Sequence, residues 1–283
     1  MIFTLLLLAK ICPILSVKSK LKNWAARIRQ ECYGGLNRDD LDALSARLYY
    51  GVQRSLATAR LHAETFKGFR GAFRGKDIVI VGAGPSVSQF KSLTNCIYIG
   101  LNRACALAEI PFDYLFVMDK VGIASYMKEF AARDCVKFVG DAGVGRESQI
   151  PEGFVESLGN SAKRYRTDSG CVASDYSRFA VDLEVQALGN FNSVAMQAMQ
   201  FALYGRPRRI YLVGMDCSTQ GHFDAGKGVR EEGYYKSGRQ TWASGAAADW
   251  KKCKDFAEAY YPDTEIVSIN PVGLKGLFKD IVQ

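Results

Sequence analysis

Asp77-Ile78-Val79-Ile80-Val81-Gly82-Ala83-Gly84-Pro85-Ser86 is the stretch whose reading decides the fold. Four β-branched residues in a row, with no polar alternation, have the pattern of a strand covered on both faces. A glycine-rich turn follows at once. In open α/β sheets, ligands bind outside the carboxyl ends of the strands. Glycines there let backbone N–H groups approach a phosphate, and a helix start behind them adds a favourable dipole. The stretch thus predicts a phosphate-binding loop made of Gly82, Ala83, Gly84, Pro85 and Ser86, with Ser86 either capping the next helix or bonding a phosphate oxygen.

Outward from this stretch, short apolar runs alternate with helical patterns. The spacing predicts strands over 78–81, 96–100, 114–118, 136–139, 210–213 and 265–269, and helices over 193–204 and 249–261. Trp250, Cys253, Phe256, Ala257, Tyr260 and Tyr261 line one face of the second helix. This alternation implies a Rossmann-like α/β fold with a doubly wound, mainly parallel sheet over residues 76–283. Residues 1–75 form a helical, basic extension in front of it. Residues 141–190 are polar and rich in loops, and 218–248 have the glycine-rich texture of a mobile lid.

Several polar residues sit where strands end. Val87 stands where a dinucleotide fingerprint wants a third glycine, and Asn102 where it wants a ribose-binding acid, so ordinary NAD or FAD binding is disfavoured. Asn102 and Arg103 follow the second strand, and a carboxamide there either reads a nucleobase or ribose or shapes the turn. Asp119 ends the third strand and suits a magnesium ion, a ribose or an acceptor hydroxyl. Asn192 and Ser193 open the helix 193–204, with Ser193 either its N-cap or a neighbour of the ligand phosphates. The run Leu212-Val-Gly214-Met-Asp216 delivers Gly214 and Asp216 to another strand end, and His222 follows in the loop. An imidazole and a carboxylate this close suit a general base with its orienting partner, although a lone histidine is more often structural.

The net charge of +8 is unevenly placed. Residues 1–76 hold 14 Lys/Arg against 5 Asp/Glu, whereas the remainder is almost balanced. A basic segment attracts polyanions such as an anionic membrane surface, but no specific nucleic-acid binding is expected. The apolar start Met1–Ala9 has no positive residue before it and is broken by Lys10 and Pro13. It falls short of the ~20 residues a membrane span requires. The expectation is peripheral contact of residues 1–29 with an anionic membrane, or docking on the chain's own domain or on a partner copy in a homo-oligomer. Eight cysteines without a CxxC pair, and only two histidines, argue against structural zinc and for a reducing, cytoplasmic setting.

Taken together, these positions resemble the 6-hydroxymethylpterin diphosphokinase MptE-like domain. Residues 73–86 resemble its opening, residues 104–119 its second block and residues 193–222 its third. Bacterial lipooligosaccharide sialyltransferases share the Gly-Pro-Ser loop, an asparagine like Asn102 and a serine like Ser193 at a helix start. The resemblance covers about residues 70–275 and implies a nucleotide-dependent transferase. One branch implies a nucleotide-sugar donor and a glycan or small-molecule acceptor. The other implies ATP with Mg2+ and a pterin-type hydroxymethyl group. A third outcome is a binding or assembly protein that retains the fold. The sialyltransferases place a catalytic histidine in the glycine-rich region before the last helix. Residues 237–249 hold no histidine, so His222 or another group takes that role, or the reaction differs.

Overall fold

The computed structural model describes residues 52, 55–118, 120, 123–141, 150, 151, 153–168, 178–191, 193–218, 221–224 and 233–283, with backbone alone for 233–244. The chain divides into two compact units, Met1–Arg60 and Leu61–Gln283. In the first, residues 55–60 are helical. The second unit opens with helical residues 61–66 and carries the sheet. Most of the extension, including residues 1–29, lies outside the described residues.

Nine strands form one sheet: β1 (Asp77–Val81), β2 (Cys96–Leu101), β3 (Tyr114–Val117), β4 (Val136–Asp141), β5 (Ala162–Asp168), β6 (Leu188–Gly189), β7 (Arg209–Val213), β8 (Glu265–Ile269) and β9 (Lys279–Ile281). Their order is β6-β5-β4-β3-β2-β1-β7-β8-β9, and every pairing is parallel. This is the doubly wound α/β architecture expected from the continuous β-branched runs. Parallel sheets need cover on both faces. One face, with Ile78, Ile80, Ile99, Phe116, Phe138, Ile210 and Leu212, packs against helix α3 (Val194–Tyr204) and the carboxyl half of α4 (Gly233–Tyr260). The other, with Val79, Val81, Leu115, Val117, Val139 and Val213, packs against short turns and α1 (Met127–Ala132), with α2 (Phe154–Ser157) at its edge.

All eleven residues of α3 are buried, and all but Gln197 and Gln200 are hydrophobic, as suits a helix that lies inside the domain. Phe201 sits at the centre of an aromatic cluster, with ring centroids 4.8 Å from Phe138, 5.0 Å from Phe69 and 5.3 Å from Phe116. Spacings of this kind are favourable for aromatic pairs beyond the area they bury.

Within the loop-rich residues 141–190, β5 and β6 extend the sheet and α2 lies between β4 and β5. Two expectations are corrected. The segment expected as a glycine-rich lid is helical from Gly233 onward, as part of α4. Tyr260 does not share the buried face of that helix: Trp250, Cys253, Phe256 and Ala257 are buried, whereas Tyr260 is 44% exposed. Among the described residues, no helix is long and apolar enough to cross a membrane.

Candidate functional site at the reversal of strand order

The chain builds outward from β1 in both directions, through β2 to β6 on one side and through β7 to β9 on the other. The strand order therefore reverses between β1 and β7, the place where doubly wound sheets open a ligand crevice. Val81 lies level with Gly100 of β2 and with Val213 of β7. The Gly82–Ser86 loop thus begins between the chain leaving β2 at Asn102 and the chain leaving β7 at Gly214.

The glycines of the two loops touch. The Gly82 amide donates to Val213 O at 2.8 Å and the Gly84 amide to Gly214 O at 2.9 Å. A Cβ on Gly82 would lie 2.6 Å from Gly214 O, and one on Gly214 would lie 2.8 Å from Gly82 O. Gly214 also holds φ +65°, a region that glycine enters without steric cost. A Cβ on Gly84 would lie 2.5 Å from the carboxyl carbon of Asp216.

Asp216 is 5% exposed. The Ser86 amide donates to its Oδ2 at 2.9 Å, and the Ser86 hydroxyl donates to its Oδ1. The Gly273 amide donates to its main-chain carbonyl at 2.7 Å. The carboxylate expected to orient a general base is thus bound by Ser86, at the start of the turn behind the glycine loop. That turn is a five-residue 3-10 segment, Pro85–Gln89, and not the longer helix expected there. Residues 83–85 are the half-buried outer part of the loop. The Ala83 amide makes no hydrogen bond among the described residues.

Asn102 leaves β2 with φ +46°, a left-handed backbone that costs energy for a residue with a side chain. Its Oδ1 is buried without a hydrogen-bond partner. Buried polar atoms are nearly always paired, so an orphan beside strained backbone marks a place to look for a ligand.

Arg103 is placed differently from its expectation as a nucleotide ligand. It is 4% exposed, and its Nη1 lies 3.1 Å from both carboxylate oxygens of Asp224. The Tyr126 hydroxyl donates to Asp224 Oδ2 at 2.8 Å. Burial, followed by the neighbouring Asp224, pushes the Tyr126 phenol up to about 12. His222 is half-buried, and the next residue joins it to the glycine loop, since the Phe223 amide donates to Ala83 O at 2.8 Å. The structure thus brings Gly82–Ser86, Gly214, Asp216 and the His222 segment together, with Asn102 alongside.

Ser193 holds the N-cap position of α3 with an extended backbone, φ −149°, but its side chain makes no capping bond and the first turn has no acid. No hydrogen bond joins it to the glycine loop among the described residues. Asp119 and Asn192 lie outside the described residues. Among those that are described, no three His, Cys, Asp or Glu side chains are grouped to hold a metal ion. Cys217, next to Asp216, is no ready nucleophile, because burial pushes its thiol up to about 12.

Sequence reasoning missed Tyr126, Asp224, Gln197 and Gln200. Gln200 accepts the amides of Ala180 and Gly189 at 2.9 Å, and Gln197 Nε2 donates to Gly189 O at 2.9 Å. These two carboxamides shape the segment entering α3. Their signal was present: two glutamines three residues apart in an otherwise apolar helix need partners once buried. Asp224 also had a signal, two residues beyond His222.

No family model matches the sequence, and no curated protein matches it. Among solved structures, the chain is similar to the MAf glycosyltransferase from Magnetospirillum magneticum AMB-1, with a TM-score of 0.44 and 15% sequence identity. The match covers 88% of this chain and 42% of that one, so this chain spans less than half the length of the structure it matches.

Proposed function

We propose that the chain is a nucleotide-dependent transferase of the glycosyltransferase type, taking a sugar from a nucleotide-activated donor to a hydroxyl acceptor. The observation that carries this reading is Asn102: a strained residue with an orphaned buried carboxamide oxygen, at the reversal of strand order beside a glycine loop. An acceptor oxygen there suits the hydroxyl or amino group of a nucleoside. Ala83, with its unengaged amide, and the uncapped start of α3 at Ser193 offer donors to the phosphates.

In this reading an imidazole nitrogen of His222 takes the proton of the acceptor hydroxyl. The acceptor oxygen forms a bond to the anomeric carbon. The bond from that carbon to the phosphate oxygen breaks, and its electron pair leaves with the nucleotide. Asp216 holds Ser86 and the loop, so its part is positioning. Work on surface glycans at the inner face of a membrane fits the basic residues 1–29.

A thermal-shift panel tests the reading. CMP or another pyrimidine nucleotide, without metal, is expected to raise Tm. Saturation at 100 times Kd stabilises by about 2.7 kcal/mol. His222→Ala is expected to keep that shift and lose transfer. Stabilisation by ATP only with Mg2+ overturns the sugar-transfer reading in favour of a diphosphokinase. A panel silent in both the wild type and Gly84→Val points to a non-catalytic role.

A further inference from the structure

Four loops leave the carboxyl ends of β1, β2, β3 and β7, and all are tied together at residues 223 and 224. Phe223 bonds Ala83, which follows β1. Asp224 bonds Arg103, which follows β2, and Tyr126, which follows β3. Asp224 itself follows β7. Arg103 and Asp224 are 4% and 2% exposed. A charge pair this deep gains little net stability over well-packed apolar residues, because desolvation offsets the attraction. It does add direction: two bonds from one guanidinium nitrogen and one from a phenol fix where the carboxylate must lie.

We propose that Arg103, Asp224 and Tyr126 form a positioning cluster that fixes His222 over the glycine loop. Asp224 stands two residues beyond His222, and the Phe223 amide between them is pinned to Ala83. With 223 and 224 both held, the backbone that carries the imidazole is anchored beside Ala83. None of the three is a catalytic residue, since they act through the placing of His222.

The inference rests on the assignment of His222 as the base, but its test needs no substrate. The whole chain, free of ligand, is compared with Tyr126→Phe and Asp224→Asn by amide hydrogen exchange and by imidazole proton spectra. The chain has two histidines, so His222→Ala assigns both signals. Tyr126→Phe removes one hydrogen bond to a charged group, and exchange at the Phe223 amide is expected to rise about tenfold. Exchange at Ile80 and Leu212 is expected to stay unchanged, and the His222 signal to move while that of His62 does not. Unchanged exchange at Phe223, or an equal rise at Ile80 and Leu212, overturns the proposal. Asp224→Asn should exceed Tyr126→Phe in effect, and if it does not fold, Tyr126→Phe decides alone. A silent nucleotide panel with a positive exchange result removes the transferase reading and leaves the cluster standing. Once a substrate is found, Tyr126→Phe should lower kcat with KM little changed.

Discussion

Ser86 grips the carboxylate of Asp216 twice, through its amide at 2.9 Å and through its hydroxyl, across 130 residues of sequence. Asp216→Ala leaves the buried Ser86 amide without a partner. An orphaned buried donor costs about 1–3 kcal/mol. Urea unfolding of the variant should show a loss of that size with an unchanged m-value. A loss below half a kcal/mol would show that the amide finds another acceptor.

Gly84 lies against the same carboxyl group. Gly84→Ala places a Cβ 2.5 Å from the Asp216 carboxyl carbon and 2.7 Å from Gly214 O. Forcing a methyl into such a contact costs about 1–3 kcal/mol. Residues in contact couple by about 0.5–3 kcal/mol. The double variant Gly84→Ala/Asp216→Ala should therefore be more stable than the two single losses combined. Strict additivity in urea unfolding would mean that Gly214 O alone resists the methyl.

His62 gives the fold a pH dependence. Its ring lies with Nδ1 2.9 Å from Leu183 O, and the Arg166 amide donates to Nε2 at 2.8 Å. Nε2 must keep its lone pair, so Nδ1 carries the proton and the ring is neutral. Burial holds the imidazole down at about 4, from an ordinary 6.5. Between those values the unfolded chain binds the proton and the folded chain does not. Stability is therefore full above pH 6.5 and falls as pH drops towards 4, by about 3 kcal/mol in all. His62→Gln offers a donor and an acceptor that do not titrate. Denaturation midpoints from pH 7 to 5 should fall in the wild type and stay flatter in the variant.

In the proposed site, Asn102 carries a stability cost. Asn102→Gly removes both the strained φ and the orphaned oxygen. Relief of such backbone strain is worth about 1 kcal/mol. Tm should rise by a few degrees, while the nucleotide that stabilises the wild type should bind at least tenfold more weakly. A variant that gains stability and keeps full affinity would remove Asn102 from the site.

How much of this was legible in sequence depended on where the determining contacts lie. β1, β2, β3, β4, β7 and β8 announce themselves through apolar runs, because strands covered on both faces need them. β5 is a row of charges in which Tyr165 and Thr167 are the buried members, and β9 is wholly exposed. β9 at one edge, and β5 next to the two-residue edge strand β6, bury so little apolar surface that periodicity misses them. The first half of α4 carries Gly238 and Gly245, each costing a helix about 1 kcal/mol, and so has the texture of a loop. The strand end and the glycine turn of the candidate site were legible because both are local. What fills it was not. An arginine at a strand end faces a ligand on sequence grounds, but its partner Asp224 stands 121 residues away. The same holds for Asp216, which sequence places at the crevice without showing that Ser86 already holds it.

Gly82 and Gly214 each occupy the space that the other's missing side chain leaves open. The two backbones therefore work as one bearing, and neither half can be recut without the other. A designer who wants a new ligand preference must leave that bearing alone. The changes belong on its rim, at Ala83 and Pro85, where the chain is half-buried and a larger side chain leaves the bearing untouched.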